Sequence, residues 1–144
     1  MTAEKVHGKR WPRTMGAVAV GMIALALAAH GYALSMERQA RDQSTPLVAR
    51  DRAAHRAAAL EPWNRSFDVT RVVVEAQLLL ARGEVDQAYF LLLPHAQTVR
   101  GDTQFRETYQ KVVAAKWVLD ARKAHQQHAK ENEAGDLEPG DVFK

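Results

Sequence analysis

Residues 15–34 read MGAVAVGMIALALAAHGYAL, twenty consecutive positions without a single Lys, Arg, Asp or Glu, where only His30 and Tyr32 carry polar side-chain atoms. As a helix rising about 1.5 Å per residue, the run is about 30 Å long, which matches a bilayer hydrocarbon core. Helix is the conformation lipid demands of a single segment, because the backbone N–H and C=O groups find no outside partners there. Trp11 and Tyr32 bracket the run 21 positions apart, at the depths where interfacial aromatic side chains sit. A single transmembrane helix over residues 15–34 is therefore expected.

The charges around the run suggest its direction. Residues 1–14 hold Lys5, Lys9, Arg10 and Arg13 against Glu4, a net +3, whereas the 110 residues after the run hold 16 basic and 16 acidic side chains. Basic residues close to a span resist translocation. Arg38, Arg41, Arg50 and Arg52 lie on the opposite flank, but among acids and at the head of a long segment. Long segments cross largely regardless of charge. The expected arrangement is a single-pass cell-membrane protein with a basic cytoplasmic tail, 1–14, and an extracytoplasmic C-terminal domain. A competing expectation is a cleaved secretory leader, with residues 16–29 as its apolar core and the small residues Gly31 and Ala33 at its cleavage site. Inside the run, Ala17/Gly21 and Ala24/Ala28 are small-xxx-small pairs of the type that seat a neighbouring helix.

Several function classes drop out at this stage. With no cysteine in 144 residues, neither a disulfide scaffold nor a thiolate metal site can be built. A body of balanced, interspersed charge lacks the basic footprint of a nucleic-acid binder. The sequence holds no phosphate-binding glycine loop, HExxH or GxSxG motif, and its acid pairs Glu84/Asp86 and Glu131/Glu133 fall at a turn and near the C-terminus. No enzyme, cofactor, metal site or small-molecule substrate is expected. His125, His128 and Glu131 share one helical face, but three groups on an exposed helix end with no supporting partners read as a solvated surface.

Beyond the run the chain reads as helical throughout. Between residues 35 and 134 only Gly83 and Gly101, with Pro46, Pro62 and Pro94, interrupt segments rich in Ala, Leu, Glu, Gln, Lys and Arg. The β-branched stretch VTRVVV belongs to an unbroken segment, 66–82, which is long for a strand. The predicted elements are a juxtamembrane segment, 35–45, that either links the run to the domain or extends the membrane helix outward, and a first soluble helix from about Pro46 to Glu61, capped by Thr45. A second runs from a Ser66 cap to Gly83, and a third from about Val85 to Val99, kinked or stopped at Pro94. A fourth runs from an Asp102 cap to about Ala134. Its apolar positions Phe105, Tyr109, Val112, Val113, Trp117, Ala121 and Ala124 recur at three- and four-residue steps. Short turns make successive helices antiparallel neighbours, which gives an all-α domain, 46–134, of two helical hairpins. A disordered acidic tail, 135–144, follows. Trp63, in the first turn, is expected to pack against the hairpin.

Ala76, Leu79, Gly83, Ala88 and Leu92 stand at the spacing of a helix crossing, a turn glycine and a second helix. With EVDQA after Gly83, residues 72–92 resemble one tetratricopeptide repeat, a helix–turn–helix unit of about 34 residues. Upstream, Ala57, Leu60 and Pro62 are similar to the close of a preceding repeat. Glu75, His95 and Arg100 depart from the family's preferences for leucine, alanine and proline. The resemblance implies a protein-binding role, since such repeats present grooves to peptides or helices. The five apolar residues Tyr89, Phe90, Leu91, Leu92 and Leu93 exceed what one helix face can bury. Two alternatives remain for them. Either the fourth helix covers the run, with Tyr109 and Trp117 packing over it, or Tyr89, Phe90, Leu91, Leu93, Tyr109 and Trp117 form the surface for a protein partner. The functional expectation is a membrane-anchored, non-enzymatic scaffold. The alternatives are an accessory single-span subunit that makes its contact through the span, and an exported helical protein released from its leader.

Overall fold

The computed structural model describes residues 13–99 and 101–135, and over these the chain is all-α, without a strand. Five helices follow in order: α1 (Arg13–Arg41), α2 (Leu47–Leu60), α3 (Arg65–Ala81), α4 (Val85–Leu92) and α5 (Thr103–Gly135). Leu93–His95 adds one 3-10 turn after α4. Apart from Arg13, Thr14 and Gly135, the expected basic and acidic tails lie outside the described residues.

Each helix end has a local cause. After α1, the Asp42 carboxylate accepts from the Ser44 amide (2.9 Å) and hydroxyl (2.8 Å), which closes a turn in front of Pro46. Pro46, rather than Thr45, occupies the cap position of α2; Thr45 instead donates its hydroxyl to Asp42. Pro62 ends α2 by pushing Glu61 out of the helical region. Asn64, not Ser66, caps α3, its side-chain oxygen accepting from the Ser66 amide at 3.1 Å. At the far end of α3, Gly83 takes φ +79°, with its amide on the Leu80 carbonyl and the Glu84 amide on the Leu79 carbonyl. These two bonds form a Schellman closure, which needs a residue at positive φ. Asp102 caps α5 as expected, accepting from the Phe105 amide at 2.9 Å.

The third soluble helix stops at Leu92, at the break expected beside Pro94, which cannot supply the next amide, and the chain tightens into a 3-10 turn. α1 runs unbroken to Arg41, so most of the juxtamembrane segment continues the apolar helix. Ala33 and Ala40 on one of its faces are wholly inaccessible, with Met36 between them packed alongside. The packing of α1 against α2 and α3 therefore begins at Ala33, within the apolar run.

Small residues make this possible. Ala53, Ala54 and Ala57 on α2 face Ala33 and Ala40 on α1, and side chains of this size let two helix axes approach closely. Phe67 and Val74 of α3 fill the space beside them. Polar bonds fix the register. Glu37 of α1 accepts from Arg41 (3.1 Å) and from the hydroxyls of Ser66 (3.0 Å) and Thr70 (3.3 Å) on α3. The last carbonyls of α1, which no helical amide can satisfy, are met from outside. Buried Arg50 donates to Ala40 O at 2.8 Å, and Gln104 to Arg41 O at 3.2 Å. Arg41 also pairs with Asp102 at 3.2 Å, so α5 sets out from the end of α1 opposite the apolar run.

The second half of the stack has its own core. Val69, Val72, Val73 and Ala76 of α3 meet Ala88 and Leu92 of α4 and Phe105 and Val112 of α5. Gln77 donates to the buried Thr108 hydroxyl at 2.8 Å, fixing α3 against α5. In front of all this, residues 16–29 of α1 stand clear of the rest of the protein. The stretch Gly16–Arg41 is long and apolar enough to cross a membrane.

Candidate protein-interaction surface

α4 and α5 are where the five-residue apolar run and the aromatic positions of the last helix come together. Helical spacing splits the run by direction. Ala88 and Leu92 point into the core, where both are fully buried. Tyr89 and Leu91 are half-buried against it, and Phe90 and Leu93 project outward. Of the residues expected to pack over the run, Tyr109 does so, half-buried and stacked on Phe105 with ring centroids 6.1 Å apart. Trp117 does not, and is 75% exposed. At this level the start of α4 is held to α5 by charge, Asp86 lying against Lys116 and Lys123, and the indole stands at the edge of that contact.

Between α4 and α5 lies an open groove of about 660 Å³, its apolar lining supplied by Tyr89, Tyr109, Val113, Trp117, Ala121 and Ala124. Lys116 and Asp120 stand on its edge, 2.7 Å apart. Across it, Asp86 at the start of α4 pairs with Lys116 (2.8 Å) and Lys123 (3.0 Å), bridging the two helices. The hydrogen bonds from Lys116 and Lys123 hold the Asp86 carboxyl below the ordinary carboxylate range. Asp120 and then Asp86 raise the Lys116 ammonium. The groove is thus an apolar trough with fixed charges along one side.

The five residues of the repeat-like pattern do meet. Ala76, Ala88 and Leu92 are fully buried in one cluster with Leu79 at its margin, and Gly83 makes the turn between their helices. Sequence reasoning missed the Asp86–Lys116–Lys123 bridge, which links charges 30 and 37 positions apart, and it misplaced Trp63. That indole sits in the α2–α3 turn 79% exposed. The turn is too short to fold back over the helices, and Phe67 already fills the space between α1 and α2. His128 and Glu131 approach to 3.5 Å, each about three-quarters exposed, on a stretch of α5 with no neighbouring element.

No family model, curated protein or solved structure matches this chain.

Proposed function

We propose that the chain is a single-span membrane protein, its N-terminus cytoplasmic and its helical domain outside, that holds a partner protein in the α4–α5 groove and performs no catalysis. The observation that carries this reading is the groove itself: an apolar trough of about 660 Å³ lined by Tyr89, Tyr109, Val113 and the exposed Trp117, with Phe90 and Leu93 exposed elsewhere on α4 and its end. Large aromatic side chains on a fixed helical frame are the anchors of protein interfaces, since they offer much area for little lost freedom. The fitting occupant is the apolar face of a partner helix, laid lengthwise with its own charges toward Lys116, Asp120 and Lys123. No cluster around the groove resembles a reaction centre.

Two further features support a membrane scaffold over a released protein. Ala33, at the alternative cleavage site, is wholly covered by Ala57 and Phe67, so the uncleaved α1 completes the contact with α2 and α3. Losing residues 1–33 would also strip α2 of part of its packing. The tetratricopeptide-like reading gains support from the neighbours on either side of α3 and α4. The packed half of α1 with α2 precedes them and α5 follows, which provides the flanking surfaces that a lone repeat lacks. Anchoring would hold the groove at the membrane and raise its effective concentration toward other membrane proteins.

A second reading places the contact on α1. Gly21 has open space around it, and the Ala17/Gly21 and Ala24/Ala28 pairs leave a smooth strip for a partner span. Because the chain has no cysteine, a photo-crosslinker on a single introduced one separates the two. Groove binding predicts adducts in native membranes from Phe90→Cys or Leu93→Cys that disappear when Trp117→Ala is added. Adducts found only from Val20→Cys or Leu25→Cys would favour the span.

A further inference from the structure

We propose that the α2–α3 turn, residues 60–63, is a second membrane contact, seated in the interfacial layer of the bilayer that α1 crosses. The proposal rests on the reading that α1 is a span, and goes beyond it by assigning the turn to lipid rather than to a partner protein.

The argument is one of length. From Arg13, preceded in sequence by Lys9 and Arg10, to Ala29 is seventeen residues, and as helix these cover about 25 Å. A hydrocarbon core is about 30 Å thick, so lipid must reach past residue 29 to about residue 33. Any tilt of α1 lengthens the requirement. Yet at this level α1 is no longer alone. His30 is hydrogen-bonded to Glu61, and Ala33 is covered by Ala57 and Phe67. The end of α2 and the start of α3 are therefore held at the depth where hydrocarbon meets headgroups.

The residues in the turn suit that depth. Trp63 is 79% exposed, Leu60 is exposed beside it, and Pro62 has no amide to leave unsatisfied. Tyr32 is half exposed on α1 at a similar height. An indole with an apolar body and one N–H donor partitions to this layer, as does a phenol. Arg65, exposed two residues on, can reach lipid phosphates. Glu61, the acid in the turn, is occupied by His30 and by Asn64 at 3.2 Å. The domain would then sit directly on the bilayer, braced at two points, instead of standing off on a stalk.

The test uses the full chain in phosphatidylcholine vesicles with brominated acyl chains, comparing Trp11→Phe/Trp117→Phe, where only Trp63 emits, with Trp11→Phe/Trp63→Phe, where only Trp117 emits. Each also carries Ala24→Cys, probed with an impermeant maleimide. The expected result is Trp63 emission quenched severalfold more strongly than Trp117 emission, with Cys at position 24 protected. Equal, weak quenching of both indoles with position 24 still protected would overturn the turn contact and leave the span standing. Equal quenching with position 24 labelled would overturn both.

Discussion

His30 Nδ1 of α1 donates to the Glu61 carboxylate at the end of α2, joining the one imidazole of the apolar run to a residue 31 positions later. Directly above this bond Ala33, Ala57 and Phe67 close the contact among three helices. The apolar helix and the helices that follow it thus share a core rather than a linker. Placing a larger side chain there forces α1 off α2. Ala33→Leu is expected to cost about 1–3 kcal/mol through overpacking, and Phe67→Ala about 3–5 kcal/mol through the cavity it leaves. Thermal unfolding followed by circular dichroism in mild detergent measures both. If α1 were a detachable leader, Ala33→Leu would leave the transition unmoved.

Gly83 closes α3 at φ +79° with open space where a Cβ would stand, so backbone conformation alone opposes substitution. Gly83→Ala is expected to destabilise by about 1–2 kcal/mol, and Gly83→Asn by less, because asparagine tolerates the left-handed region better. The same unfolding measurement checks the order of the two variants.

The Asp86 bridge predicts a defined response to acid. Its carboxyl is lowered from the ordinary value of 3.8 in the folded chain, chiefly by the hydrogen bond from Lys116 and then by that from Lys123. A depressed folded-state value means the bridge contributes stability fully above that ordinary value and loses it as pH falls through the lower, folded one. A carbon-detected NMR titration of Asp86 should therefore give a midpoint below 3.8, returning toward it in Lys116→Ala/Lys123→Ala. Because these groups are exposed, the effect should weaken in high salt.

Leu92 and Trp117 are both large and apolar, one fully buried and the other 75% exposed, and their truncations should separate folding from binding. Leu92→Ala is expected to lose about 2–5 kcal/mol of stability. Trp117→Ala should stay within about 0.5 kcal/mol of the parent, as surface changes do, while abolishing the Phe90→Cys adduct. A Trp117→Ala protein that unfolds early would place the indole in the core and remove it from the groove.

The helix boundaries were largely legible in the sequence because they depend on nearby chemistry. Pro62, Gly83, Pro94 and Asp102 act within a few residues of themselves, so each break falls at or beside its expected place. The role of α1 was not legible. An uncharged run reads as lipid-facing along its whole length, and only three-dimensional packing shows that Ala33, near its end, faces Ala57 and Phe67 instead. Alanines carry no pattern strong enough to announce this. The aromatic residues posed the same problem in reverse. Periodicity put Trp117 in line with the apolar positions of α5, but no local signal reveals that its indole stands at the edge of the α4 contact, 75% exposed. Trp63 follows suit, since its exposure depends on Phe67 having taken the space first.

The most direct measurement is the intact mass of the chain recovered from alkali-washed membranes of expressing cells. The full 16.1 kDa chain, retained in the membrane pellet, is the expected result, because Ala33 is locked beneath α2 and α3 and α1 runs on through it. A shorter chain beginning near Leu34 and free in the soluble fraction would show that the apolar run is a leader, and would contradict a helix shared between membrane and domain.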